Sequence, residues 1–549
     1  MGMFVTWGIP LTVLASGAAV LLGCQQRPQH LLPAAAEVFC YQGVRTEAAV
    51  PSSPNACFTV AHGKFASMAP AEPGAHIRRG WALPGLWDGH GHLLQLGEFL
   101  HSVDLFGSHS PDEIRRRLHA YLDAHPDRGG SDKWIRGVGW DQMALGGMPT
   151  ADMLETDRRL AGLYVMLDRV DLHCTWVSRA VLDLLGDDLP EAVPGRGVFC
   201  DKAMDLVLPL WPRPGAEEKK AYLRSAMRDL HAVGLVGVHD AGVFPRDMAL
   251  LEDMSRTDDW RLRVYAMVEC AERNGFCPES ARRIYVEGKT GMLSVRSVKL
   301  FSDGALGSWG SAMLEPYSDR PGTSGSLLVN ASTLTAVAQA WSATGFQVNI
   351  HAIGDLATRL SIDAMEAALR QSCSATNSSL ADCQAQRRFR IEHSQIVHPV
   401  DQQRMHDVGI IPSIQPTHAT SDMKYAEARL GKDRTGSEAY RMKSFLDLGP
   451  VLGSDFPVEP PNPFEGIYAA VTRKSPRTGQ GPPGAEDGWY PAEALGVTEA
   501  LEGFTQGPAW GAFLEGKAGI IGEGAFADWI VLDEALEAVS TEDIRHIRV

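Results

Sequence analysis

No basic stripe anywhere in the 549 residues offsets a formal net charge of −16, with 67 Asp and Glu against 51 Lys and Arg. Such a chain repels a polyanion, which argues against nucleic acid as a partner. Charge is also missing from residues 1–26, where Phe4 to Gly23 is a continuous apolar or small run. Its length, about that of a bilayer core, fits a membrane anchor or an export signal better than a buried core helix. The basic stretch that usually opens a signal peptide is absent as well. Arg27 is the first charge, so the positive-inside rule sets no orientation.

Over the full 549 residues, 44% hydrophobic and 21% charged residues describe a globular protein, long enough for a large core and more than one domain. Leu21-Leu22-Gly23-Cys24 has the form of a bacterial lipoprotein cleavage site apart from Leu22. The other eight of the nine cysteines fall into local pairs: Cys40 with Cys57, Cys174 with Cys200, Cys270 with Cys277, and Cys373 with Cys383. That spacing suits disulfides closing short loops in an exported protein, although buried free thiols would be spaced no differently. Asn330-Ala331-Ser332 and Asn377-Ser378-Ser379 are glycosylation sequons. Together with the apolar N-terminus they favour a protein that is exported or membrane-anchored.

Glu37 to Arg45 and Cys57 to Ser67 read as two strands, and Gly516 to Asp533 as short strands of which Ala527–Leu532 is the clearest. One small β-domain built from both ends is expected. Between them, apolar runs alternate with helical stretches, the pattern of an α/β barrel. Ser110-Pro111-Asp112-Glu113 opens a helix toward Ala124, and Gly354 to Leu369 is helical by its period. Eight barrel strands are predicted: Ala82–Leu86, Leu235–His239, Leu262–Val268, Val295–Phe301, Val348–His351, Phe389–His393, Ile410–Gln415 and Val451–Asp455. Eight is the number for a (β/α)8 TIM barrel. The stretch from about Gly130 to Pro214, with its own apolar run Leu163–Val170, is read as an insertion after the first strand.

Pro84 to His92 (PGLWDGHGH) places His90 and His92 on one face of an extended segment, with Gly91 adding no side chain where a metal must approach. Lys299 lies on the fourth predicted strand, while His351, His393 and Asp455 end the fifth, sixth and eighth. In a barrel these ends converge on one face, where four histidines and an aspartate have the chemistry to hold one or two divalent ions, zinc first among them. Singly, each has a plainer reading: a rim histidine, a snorkelling lysine, an aspartate capping a turn. Their order along the strands joins them.

The chain resembles the amidohydrolase superfamily, in the branch called amidohydrolase family 3 or YtcJ-like, which includes N-substituted formamide deformylases. The resemblance runs from about Glu37 to Leu532 and is carried by PGLWDGHGH together with VKLFSDGALGS (298–308), IHAIGD (350–355), RIEHSQ (390–395), QPTHATSD (415–422) and GSDFPVE (453–459). It implies a distorted TIM barrel with a small β-sandwich built from both termini; together with the leader read at 1–26, the expected bounds are 34–80 plus 515–549 for the sandwich and 81–514 for the barrel, with the insertion at about 130–214. It also implies that His90, His92 and Asp455 bind one metal, that His351 and His393 bind the other, and that Lys299, carboxylated by carbon dioxide, bridges them. Hydrolysis of a non-peptide carbon–nitrogen bond in a small-molecule amide would follow, by metal-activated hydroxide. Asp455 would move the proton to the leaving nitrogen, and His173 would contact substrate from the insertion. His239, Asp240, Asp303, Trp140, Asp141, Asp171, His418 and Asp422 are weaker candidates, each as readily a capping or supporting residue. A one-metal deaminase needs no carbamate and so leaves Lys299 without a task. A barrel kept only for binding would not need a full set of ligand-type residues.

Overall fold

The computed structural model describes residues 36–186, 196–285, 291–374 and 378–549. The leader 1–26 with Cys24, and Asn377 of the second sequon, lie outside the described residues. Strand β1 (Glu37–Val44) pairs antiparallel with β2 (Ser53–Ala61), which turns into β3 (Lys64–Pro70). The expected strand Cys57–Ser67 is therefore a hairpin. His62 (φ 53°) and Gly63 (φ 71°) form its two-residue turn, in which both residues take the left-handed backbone that matches strand twist. Strand β4 (Arg78–Pro84) runs beside β1, and the barrel begins with β5 (Leu86–Gly91). The expected first barrel strand, Ala82–Leu86, thus straddles two sheets. Trp81 to Trp87 is apolar throughout because both sheets bury their part of it, so hydrophobicity does not mark where one ends.

An inserted five-stranded sheet follows: β6 (Val103–Asp104), β7 (Ile135–Trp140), β8 (Val165–Arg169), β9 (Cys174–Val177) and β10 (Val198–Cys200). It takes in Val103–Asp104, well ahead of the expected start near Gly130, and the helix Pro111–Ala124 covers it through Ile114 and Leu118. Ser110 Oγ accepts the N–H of Glu113 at 3.2 Å, as the capping sequence predicts.

The chain then returns to the barrel as β11 (Leu235–Val243), β12 (Arg263–Val268), β13 (Leu293–Phe301), β14 (Gln347–Ala352), β15 (Arg390–His393), β16 (Ile411–Ile414) and β17 (Val451–Leu452). Last, β18 (Trp529–Leu532) pairs antiparallel with β4 in the small sheet. The eight barrel strands form one parallel sheet in the order β17-β16-β15-β14-β13-β12-β11-β5. It closes where Asp455 N–H donates to His90 O at 2.7 Å and His92 N–H to Phe456 O at 2.8 Å. Glycine makes that contact possible: a Cβ on Gly89 would lie 2.6 Å from Leu452 O, and one on Gly91 2.4 Å from the Phe456 ring. Gly91 thus has a packing role against Phe456 as well. The fold is a TIM barrel with a small β-domain drawn from both ends of the chain. Its four disulfides are the four local pairs, Cys40–Cys57 and Cys174–Cys200 each joining directly opposed strand residues.

Candidate metal centre

His90 is the last histidine on β5, and His92 follows as the N-cap of helix Leu93–Leu100. Two buried carboxyls fix this turn. Asp240, on β11, accepts Leu93 N–H at 3.1 Å, and Asp88 accepts His90 N–H at 3.0 Å and Ser454 Oγ–H at 2.7 Å. Burial pushes Asp88 up to about 7 and Asp240 up to about 6. On β15, Arg390 and Glu392 are the inward pair, and His393 has the opposite parity. A left-handed backbone (φ 74°) lets its ring join the centre, 4.8 Å from His90 and 4.5 Å from His351. Asp455 is left-handed too (φ 61°). Such backbone is strained for non-glycine residues and concentrates at functional sites.

The Asp455 carboxylate lies between two sets of imidazoles. One oxygen is 3.1 Å from His92 Nε2 and 3.5 Å from His90 Nε2; the other is 3.8 Å from His418 Nε2. Ligand atoms of His90, His92 and Asp455 lie within 4.8 Å of one another, and so do those of His393, His418 and Asp455. Lys299 Nζ is 3.2 Å from His90 Nε2. His351 stands beside His393, with its Nε2 3.6 Å from Asp303. His418, a weaker candidate by sequence, thus sits closer to the Asp455 cluster than His351 does.

The electrostatics suit a cation. Burial lowers His90 to about 4, with Lys299 adding to the effect, and holds His351 and His393 well below the ordinary histidine range. These imidazoles are neutral at neutral pH and keep lone pairs to donate. Burial works against an ionised Asp455, but His90, His92 and His393 keep its carboxyl well below the usual range. Burial also lowers Lys299, against the pull of Glu392 and Asp455. His90 Nδ1–H donates to Glu392 Oε2 at 2.5 Å, and His393 Nδ1–H to Gln415 Oε1 at 2.8 Å, so each turns Nε2 inward. Arg390 grips Glu392 at 2.8 and 2.9 Å and, with His90, holds it ionised against its burial. The Nε2 atoms of His351 and His418 are buried without a hydrogen-bond partner, which costs about 1–3 kcal/mol each unless a ligand takes them. A nitrogen-rich donor set with one carboxylate fits a zinc-like divalent ion.

The remaining candidates separate cleanly. His173 adjoins the centre, bearing on Asp303 and His351, and Asp171 accepts its N–H at 3.1 Å while pairing with Arg169. Asp303 accepts backbone N–H groups of Ala312, Ile353 and Gly354 at 2.8–3.0 Å and so organises loops. Asp422 gathers Gln395 and the hydroxyls of Tyr425 and Tyr440. His239 lies beneath the centre against Arg390, Trp140 is in the core of the insertion, and Asp141 caps a short helix. Sequence reasoning missed the Arg390–Glu392 pair, although it stands inside RIEHSQ: a buried ion pair next to a candidate ligand was the available signal. It also missed Glu269, which follows β12 outside any motif.

A model of the amidohydrolase family matches residues 80–549. The chain is 30% identical to the amidohydrolase YtcJ of Bacillus subtilis (strain 168), over 82% of this chain and 83% of that one. It is 29% identical to Protein LONG AFTER FAR-RED 3 of Arabidopsis thaliana, over 82% and 77%. It is 25% identical to the N-substituted formamide deformylase of Arthrobacter pascens, over 85% and 86%. Among solved structures, an uncharacterized metal-dependent hydrolase from Pyrococcus horikoshii OT3 superposes with a TM-score of 0.72 at 24% identity, over 92% of this chain and 99% of that one, and so shares the fold. Family match, barrel and centre agree: this chain belongs to the amidohydrolase family, metal-dependent hydrolases of carbon–nitrogen bonds other than peptide bonds.

Proposed function

We propose that the protein hydrolyses an N-substituted amide or formamide at one or two divalent ions, zinc first among them. The position of Asp455 carries this reading, with one oxygen toward His90 and His92 and the other toward His418. His90, His92 and Asp455 would hold one ion. His393, with His351 or His418, would hold a second. Lys299 would stand between them as a carbamate, formed when its neutral amine adds carbon dioxide and releases a proton. A bound ion supplies Lewis-acid polarisation of the amide carbonyl and acidifies water. Asp455 takes the proton of the attacking water and hands it to the leaving nitrogen, which departs as a neutral amine. His173 contacts the substrate from the insertion. The similarity to a formamide deformylase supports the substrate class. The four disulfides fit an oxidising, exported setting, with residues 1–26 as export signal or tether.

The test is an amide and formamide panel assayed with and without chelator, alongside metal analysis. One to two zinc-like ions per chain and chelator-sensitive turnover are expected, with turnover lost in Asp455→Asn while the fold survives. Protein that carries no metal after incubation with zinc and bicarbonate, or an active Asp455→Asn, overturns the mechanism.

A further inference from the structure

Seven of the eight barrel strands end in a residue already placed at or beside the centre; the third, β12, is followed by Glu269. Its N–H donates to Val243 O at 3.0 Å, which stitches it to the end of β11. Its half-buried side chain reaches back over Gly242. A Cβ built on Gly242 would lie 3.2 Å from Glu269 Oε2 and 3.6 Å from His92 Nδ1. Gly242 therefore leaves a notch with a carboxylate oxygen on one wall and a candidate metal ligand on the other. His92 is also the most open of the candidate imidazoles, its side chain 25% exposed against 14% for His418 and 8% for His351.

Among the described residues, no hydrogen bond or ion pair engages the Glu269 carboxylate. The neighbouring cations are otherwise occupied. Arg273 pairs with Asp205 at 3.5 Å, and Arg246 lies 3.9 Å over the Phe244 ring with Asp247 3.8 Å away; Lys299, against His90, is in the proposed centre a carbamate and not a cation. The loop that follows is held firmly. Cys270–Cys277 closes it, and Asn274 exchanges two hydrogen bonds with the backbone of Phe301, at 2.9 and 2.7 Å. Among the described residues, Glu269 is thus a fixed acceptor beside the centre with no hydrogen-bond donor on its carboxylate.

We infer that Glu269 contacts the substrate. Its carboxylate receives an ammonium or other donor on the nitrogen-side substituent of the amide, seated in the Gly242 notch, and selects such substituents over those ending in a methyl group. The substituent is on the nitrogen side because a formamide varies only there. The inference rests on the hydrolytic reading of the centre and adds to it the chemistry of the substituent.

The test compares kcat/KM for N-(2-aminoethyl)formamide and N-propylformamide, which are nearly isosteric and differ in a terminal ammonium. A charge-assisted hydrogen bond predicts a preference of at least about tenfold for the ammonium member in the native enzyme. Glu269→Gln should bring that ratio close to one, and Glu269→Asp should keep part of it. A ratio that Glu269→Gln leaves unchanged overturns the assignment. If Glu269→Gln does not fold, Gly242→Ala, which fills the notch, reads the same ratio and is expected to lower it. If the metal-loaded native protein turns over no member of the amide and formamide panel, the hydrolytic reading fails, and if it turns over neither compound of this pair, titration calorimetry with the pair decides the contact. Tighter binding of the ammonium member that Glu269→Gln abolishes upholds it, and equal binding overturns it.

Discussion

At the scale of the residue, the centre depends on groups held away from their ordinary protonation. His90 is fully buried and titrates near about 4 in the folded protein, against about 6.5 when exposed in the unfolded chain. Between those values the unfolded chain binds the extra proton, so a histidine with a lowered folded pKa costs stability as pH falls. From this group alone, metal-stripped protein loses up to about 1.4 kcal/mol per unit of pH between about 6.5 and 4, while the raised carboxyls of Asp88 and Asp240 act in the opposite sense, so His90 is read from the difference between native and variant slopes. Urea unfolding at pH 7, 6 and 5 measures the slope, and His90→Asn should flatten it; an equal slope in the variant removes His90 as its source. His393 shows where single-residue reasoning stops. Strand parity turns it away from Glu392, and only the left-handed backbone at φ 74° returns it to the centre.

At the scale of the element, the His90-Gly91-His92 segment is shaped as much by its glycines as by its histidines. A Cβ on Gly89 would meet the carbonyl of Leu452 at 2.6 Å, and that backbone cannot step aside without opening the seam between β5 and β17. Gly89→Ala should lower stability by about 1–3 kcal/mol and, because Asp455 hangs from the same seam, lower metal content with it. Gly322→Ala, where a Cβ meets nothing within 4 Å, is the control. Thermal unfolding and metal analysis of both variants decide the point: equal behaviour means the seam tolerates the methyl group. The same packing explains the misplaced first strand. Trp81–Leu83 and Leu86–Trp87 are equally apolar, but the first group pairs with β18 and the second with β11.

At the scale of the whole molecule, three bodies meet: the barrel, the inserted sheet that carries His173, and the small β-domain, which the Arg263–Asp528 pair ties to the barrel. Each has its own core, and four disulfides tie short loops across them. If all four form in solution, reductant should lower the unfolding temperature by about 5–10 °C in a calorimetric scan, and an unchanged midpoint would show that they do not form. The sequence by itself determined the barrel, the small β-domain from both ends and the family, and it grouped the cysteines locally and named the candidate ligands without fixing either the disulfides or the ligand set. Periodicity, spacing and motif order are local properties, and they survive without coordinates. Only the tertiary structure decided that His418 joins His393 and Asp455, that Arg390 and Glu392 support His90, that β5 begins at Leu86, and that Glu269 faces His92 across Gly242. These depend on how far apart two strand ends lie in space and which way a single backbone turn sends a side chain, and no periodicity along one chain encodes either.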